Sequence, residues 1–173
     1  MSNKAKAISP DAIKNLITFS QQKVPDVSLG LALQAYAGLR CSEIPDLNSA
    51  NHPGGGSIIT KNSVVTVSIG LKQILIPDEF KNYITALYKE HMEYIKNKNV
   101  DNRHPLFINS NGTKLSTDGY MRRIKQFGDY ILDSNDDSLL EAKSYLLKTG
   151  NKFTGDFLRQ WYCENVLYNG NHN

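Results

Sequence analysis

The sequence predicts a mixed α+β domain in which helices dominate and a small three-stranded antiparallel sheet sits among them. Three observations point there. A capped helix with one apolar face begins at Ser9-Pro10. Three short strand-like runs follow at 57–60, 63–69 and 72–76, the middle one rich in Val, Ile and Thr. A long helical period then resumes at residue 78. Helices, then strands, then helices again is the order of an α+β chain. At 173 residues it is long enough for one domain with a real core, and no repeat or low-complexity linker divides it. Residues 1–173 are therefore read as a single domain.

Each element has a local reason. Ser9 is a good N-cap, and Pro10 fits the first helical position because its missing N–H costs nothing there. Ile8 and Ile13 flank that cap as a hydrophobic staple, and Ile13, Leu16 and Ile17 form one apolar face. A second helix is expected over 26–37. It is apolar nearly all round, through Val27, Leu29, Leu31, Ala32, Leu33 and Tyr36, and so belongs in the centre. Gly38 is its stop, which puts Arg40 at a tight junction.

A turn-rich loop ends in Pro53-Gly54-Gly55-Gly56 and leads into the strands. Gly70-Leu71 fits a two-residue hairpin turn with glycine first. An amphipathic helix is expected over 78–98, with Phe80, Tyr83, Ile84, Leu87, His91, Tyr94 and Ile95 on one face. Pro105-Leu106-Phe107-Ile108 reads as extended, Asn111-Gly112 as a turn and Leu115-Ser116-Thr117 as a helix start. Tyr120, Ile124, Phe127 and Ile131 continue that helix. An acidic loop, a helix over 139–148 and a last helix starting near Asp156 complete the chain.

Composition sets bounds on function. With 40% hydrophobic and 21% charged residues, the chain belongs with ordinary globular domains and not with disordered ones. A net charge of +3 and a pI near 8.8 permit a nucleic-acid partner without requiring one. No apolar run is long enough to span a bilayer, so no membrane partner is expected. The N-terminal residues lack the apolar stretch of a signal peptide. Cys41 and Cys163 make neither a metal-type pair nor a disulfide framework. A reduced, cytoplasmic protein without metal or small-molecule cofactor is the expectation.

Two segments carry the chemistry. The first is Tyr36-Ala37-Gly38-Leu39-Arg40-Cys41-Ser42-Glu43-Ile44-Pro45-Asp46-Leu47. The second is Thr154-Gly155-Asp156-Phe157-Leu158-Arg159-Gln160-Trp161-Tyr162, running on to Asn169-Gly170. Between them lie the hairpin ending Ile74-Leu75-Ile76-Pro77, and Leu106-Phe107 followed by Gly112-Thr113-Lys114-Leu115-Ser116. In this order and spacing, from Ile8 to Gly170, these pieces resemble the catalytic domain of the tyrosine recombinases, the phage-integrase family.

The resemblance implies DNA strand transfer. In that family a tyrosine attacks a DNA phosphodiester, giving a 3′-phosphotyrosine and a free 5′-hydroxyl; a second strand's hydroxyl then attacks the phosphotyrosine, re-forming the phosphodiester and releasing the tyrosine, so no ATP is needed. Charge grows on the non-bridging oxygens, and guanidinium groups stabilise it by bidentate hydrogen bonding. The resemblance assigns that role to Arg40 and Arg159, with Glu43 as a supporting partner of Arg40. It assigns the hairpin lysine, a general acid, to Lys72, with Lys61 as the alternative. The implied partner is double-stranded DNA, on which the full-length protein would assemble as a multimer.

Two departures qualify this. The second box normally opens on histidine, and here the position holds Asp156, either accepting a hydrogen bond from a nucleophile or capping the last helix. The family's nucleophilic tyrosine falls beyond the equivalent of Gly170. Tyr162 and Tyr168 lie too early and are expected in the core, and His172 reads as a tail residue. The expectation is a catalytic-domain fragment that does not cleave DNA by itself, lacking the N-terminal DNA-clamping domain and the tyrosine-bearing segment. A non-catalytic DNA-binding module of the same fold is the alternative, and an unrelated helical interaction domain is a third reading. A basic cluster of Lys114, Arg122, Arg123 and Lys125 is expected to hold DNA phosphates without reading sequence.

Overall fold

The computed structural model describes residues 8–49, 56–61, 64–69, 71–150 and 152–168. Helix α1 spans Pro10–Lys23, and the Ser9 hydroxyl accepts from the Ala12 N–H at 3.2 Å, as the sequence predicts. Ser9 is also tied to a distant element. Its N–H and its hydroxyl donate to the two carboxylate oxygens of Glu141, both at 2.7 Å.

Helix α2, Ser28–Ala37, is the centre of the molecule, with every one of its residues buried. It has no polar face because α1, α3 and α6 cover it from several sides. Tyr36 stacks on Phe80 at 4.3 Å and meets the edge of Trp161 at 6.4 Å, joining three helices at one point. Gly38 ends α2 in the left-handed region, φ 69°.

The sheet is larger by one strand than the sequence predicts. Strands β2 (Gly56–Lys61), β3 (Val64–Ile69) and β4 (Lys72–Leu75) form the expected antiparallel meander. Ile69 pairs with Lys72, which leaves the two-residue connection that the spacing predicts, though Gly70 lies outside the described residues. Strand β1, Leu47–Asn48, adds to β2 in parallel. Two residues show no alternation, so only their partners reveal them as a strand. The Leu47 carbonyl then accepts from the Leu106 N–H at 2.9 Å, bringing the extended 105–108 segment into the core.

Helix α3 spans Asp78–Ile95, with Ile84, Leu87, His91 and Ile95 buried. Gly112 turns at φ 78°, and Ser116 caps α4, Thr117–Asp133, by accepting from the Gly119 N–H at 3.0 Å. A single 3₁₀ turn, Asp137–Leu139, precedes α5, Leu140–Lys148. Helix α6, Gly155–Tyr162, continues into a π-helical turn, Cys163–Leu167. No described helix is long and apolar enough to cross a membrane.

His91 gives the fold a pH dependence. It is buried, and its Nε2–H donates to the Leu106 carbonyl at 2.6 Å. Burial holds its pKa below the usual 6.5, outweighing the Leu106 and Pro25 carbonyls and the Asp26 charge, which favour the protonated ring. The depressed value means that the unfolded chain takes up the proton first. The stabilisation is complete above about pH 6.5 and is lost as pH falls toward the folded-state value. Urea midpoints between pH 8 and pH 5 should fall more steeply for the wild type than for His91→Gln, and parallel curves would refute this.

Candidate phosphate site where the two arginine segments meet

Arg40 leaves the core immediately after the end of α2. Leu39 is fully buried beside it, whereas Arg40 is exposed. The Glu43 carboxylate accepts from the Arg40 backbone N–H at 2.7 Å, and the Glu43 N–H donates to the Arg40 carbonyl at 3.0 Å. Glu43 therefore supports Arg40 through the backbone. It closes the turn that aims the residue and makes no ion pair with the guanidinium. A four-residue turn brings the carboxylate to the amide more directly than to the end of a long side chain.

Arg159 lies on α6 and is half-buried, whereas Leu158 and Trp161 enter the core. The Trp161 indole N–H donates to the Ile8 carbonyl at 2.8 Å and so pins α6 to the start of α1. Among the described residues, neither Arg40 nor Arg159 forms a salt bridge.

Two close contacts dock the segments on each other. Cys41 lies so near Gly155 that a Cβ built there would meet its Sγ at 1.6 Å. At Gly38 an added Cβ would meet the Tyr162 ring at 2.4 Å. Arg40 stands between Gly38 and Cys41 in the chain, and Arg159 stands between Gly155 and Tyr162. Each arginine is thus bracketed by the contacts that join its segment to the other. Burial pushes the Cys41 thiol above its ordinary pKa, the Gln34 amide opposes that, and the Asp156 charge adds to it.

Asp156 is not the helix cap. The N-cap is Thr154, whose side chain makes no capping bond, and Asp156 sits exposed in the first turn. A carboxylate there still complements the helix dipole. Lys72 opens β4, but its side chain, like that of Lys61, lies outside the described residues.

The four residues of the basic cluster differ in their partners. Lys114 is paired with Asp46 at 2.7 Å. The Arg123 Nε donates to Asp26 at 2.7 Å and a terminal nitrogen donates to its second oxygen at 2.5 Å, a bidentate link between α4 and the α1–α2 connection. Arg123 also donates to Gln126. Arg122 and Lys125 remain exposed and line a groove of about 670 Å³ together with Lys152, Phe153, Thr154 and Gly155. Consecutive arginines on a helix point about 100° apart, so one reaches inward while its neighbour faces the groove.

Of the two tyrosines expected in the core, Tyr162 is half-buried against Gly38, and burial raises its pKa. Tyr168 is instead exposed, at 66%. The π-helical turn before it takes more residues per turn than an α-helix, which rotates the following residues off the buried face. His172 lies outside the described residues.

Sequence reasoning missed Gln34 and Tyr120 as parts of this site. The available signal was Gln34 itself, a polar residue in a helix that is otherwise apolar apart from its first residue, Ser28. Nothing local signals that Tyr120, read only as continuing its helix, would reach it.

No family model and no curated protein matches the chain. Among solved structures, a crystal structure of XerA recombinase is similar, with a TM-score of 0.64 at 16% identity. The match covers 98% of this chain and 51% of that one, so the chain spans about half the length of the recombinase. At this identity the likeness establishes architecture: the helix-dominant domain described above has a tyrosine-recombinase-like fold.

Proposed function

We propose that this domain grips a phosphate of double-stranded DNA between Arg40 and Arg159, as part of a protein that recombines DNA by strand cleavage and rejoining. The observation that carries the reading is the docking of the two arginine segments, with both guanidiniums left without an ion pair among the described residues. A planar, permanently charged pair is suited to the non-bridging oxygens of a phosphodiester. Glu43 fixes the Arg40 backbone, Lys72 is the proposed proton donor to the leaving hydroxyl, and Asp156 occupies the place of the box histidine. Arg122 and Lys125 supply flanking phosphate contacts, with Lys114 and Arg123 secondary because each already holds a carboxylate. On DNA the protein acts as a multimer.

The two tyrosines that follow Arg159 are poor nucleophiles for this site. Tyr162 packs against Gly38, and Tyr168 is turned out to solvent. On this reading the chain binds and orients the phosphate, and by itself does not cleave. Asp156 in place of a proton-shuttling histidine favours a second reading, a DNA-binding module of the same fold without catalysis.

Anisotropy with a labelled duplex tests the grip. Arg40→Ala and Arg159→Ala should each weaken binding about tenfold or more, the loss of one charge-assisted contact. Each should also lower the slope of log affinity against log salt by about one. Unchanged affinity in both variants would end the phosphate reading. A covalent adduct between this chain and a nicked duplex would overturn the claim that it does not cleave alone.

A further inference from the structure

We propose that Gln34 is a positioning residue that sets the alignment of the two arginine segments, an inference that rests on the phosphate reading above. Gln34 is fully buried in α2. Its Nε2 donates to the Gly155 carbonyl at 2.7 Å and lies 3.4 Å from the Cys41 Sγ. Its Oε1 accepts from the Tyr120 hydroxyl, also at 2.7 Å, and Tyr120 is itself fully buried in α4. One amide therefore touches the Arg40 turn, the first turn of α6 and helix α4.

The surroundings are shaped for this amide. The Tyr120 hydroxyl reaches Gln34 by crossing α2 at Gly30, where an added Cβ would meet it at 2.8 Å. That hydroxyl donates to Oε1, which fixes the orientation of the amide and points Nε2 at α6. The Gly155 carbonyl stands four residues before Arg159 and is the one that α-helical pairing assigns to the Arg159 amide. The Gln34 contact thus lands one helical turn below the proposed phosphate ligand.

A buried amide is costly unless its groups are paired, and here each end has a partner. What it adds over an apolar residue is direction. Apolar surfaces tolerate sliding, whereas a slip of one residue along α6, about 1.5 Å, would break a hydrogen bond to its backbone. Trp161 and Leu158 hold α6 onto the core independently. Removing the amide should therefore leave the domain folded with its second arginine misaligned.

The test uses Gln34→Met, close in volume, and Tyr120→Phe, which deletes only the hydroxyl. Both are measured by hydrogen exchange across α6 and by duplex binding, alone and in the Arg40→Ala background. Faster exchange in α6 with unchanged exchange in α3 is expected for both variants. A roughly tenfold loss of affinity that disappears in the Arg40→Ala background should accompany it, because misalignment costs nothing once the pair is broken. Unchanged exchange in α6 would overturn the proposal whatever the DNA result. So would faster exchange with full affinity while Arg40→Ala binds weakly. If neither arginine variant loses affinity, the phosphate reading fails and the positioning role falls with it, a result distinct from the other two.

Discussion

Gly155→Ala should destabilise the domain by about 2–3 kcal/mol, a large loss for a single added methyl, because that methyl lands on Cys41. The Cys41 Sγ lies 1.6 Å from where the new Cβ must go, and the Cys41 Cβ lies at 3.3 Å. Neither side yields easily. Gly155 is in the first turn of α6, and its carbonyl is held by Gln34. Cys41 belongs to the turn closed by Glu43. Relief requires the Cys41 thiol to leave its rotamer or α6 to move away from the Arg40 turn, and the second route separates the two arginine segments. The cause can be isolated in a Cys41→Ala background, where the sulfur is gone and the 3.3 Å approach to the Cβ needs a shift of only a few tenths of an ångström. There Gly155→Ala should cost well under about 1 kcal/mol, a coupling that urea denaturation of the four proteins would measure. Additive losses would show that the close contact is not the reason glycine is needed.

Trp161→Ala is expected to have the larger effect, about 3–5 kcal/mol. Trp161 is 5% exposed, meets Tyr36 edge-on and holds the Ile8 carbonyl through its indole N–H. Truncation removes the ring from a three-helix junction and leaves that carbonyl without its donor. Trp161→Phe keeps one aromatic ring but loses the donor and part of the buried indole volume, so it should cost less than alanine, about 2–3 kcal/mol. Arg159 is two residues away on the same helix, so duplex affinity should fall with stability in the alanine variant. Near-wild-type urea midpoints for Trp161→Ala would mean that α6 is not anchored through this ring.

The two variants probe different links of one chain. Trp161 holds α6 to the body of the domain, while Gly155 permits its approach to the Arg40 turn. The proposed Gln34 contact then sets where along that approach the helix stops. A general loosening of the core and a specific loss of alignment are therefore separable by experiment.

Much of the architecture was legible in the chain because its signals are local. Ser9-Pro10 and Ser116 announce helix starts through capping chemistry, and the unbroken apolar surface of α2 places it in the centre. The three strand-like runs fall on β2, β3 and β4. Arg40 and Arg159 could be singled out because each sits in an extended frame of residues. The tertiary structure decided what depends on partners remote in sequence. Strand β1 exists only because β2 lies beside it. Arg123 was drawn from the basic cluster by Asp26, and Tyr168 was turned outward by a π-helical turn that no period announces. Above all, that Cys41 rests on Gly155, with Gln34 and Tyr120 bonded behind them, follows from how α2, α4 and α6 pack. Caps and apolar periods act over a few residues and are written in order along the chain. A phosphate grip made by two distant arginines depends on ångström-scale docking of helices, which exists only once the core has closed.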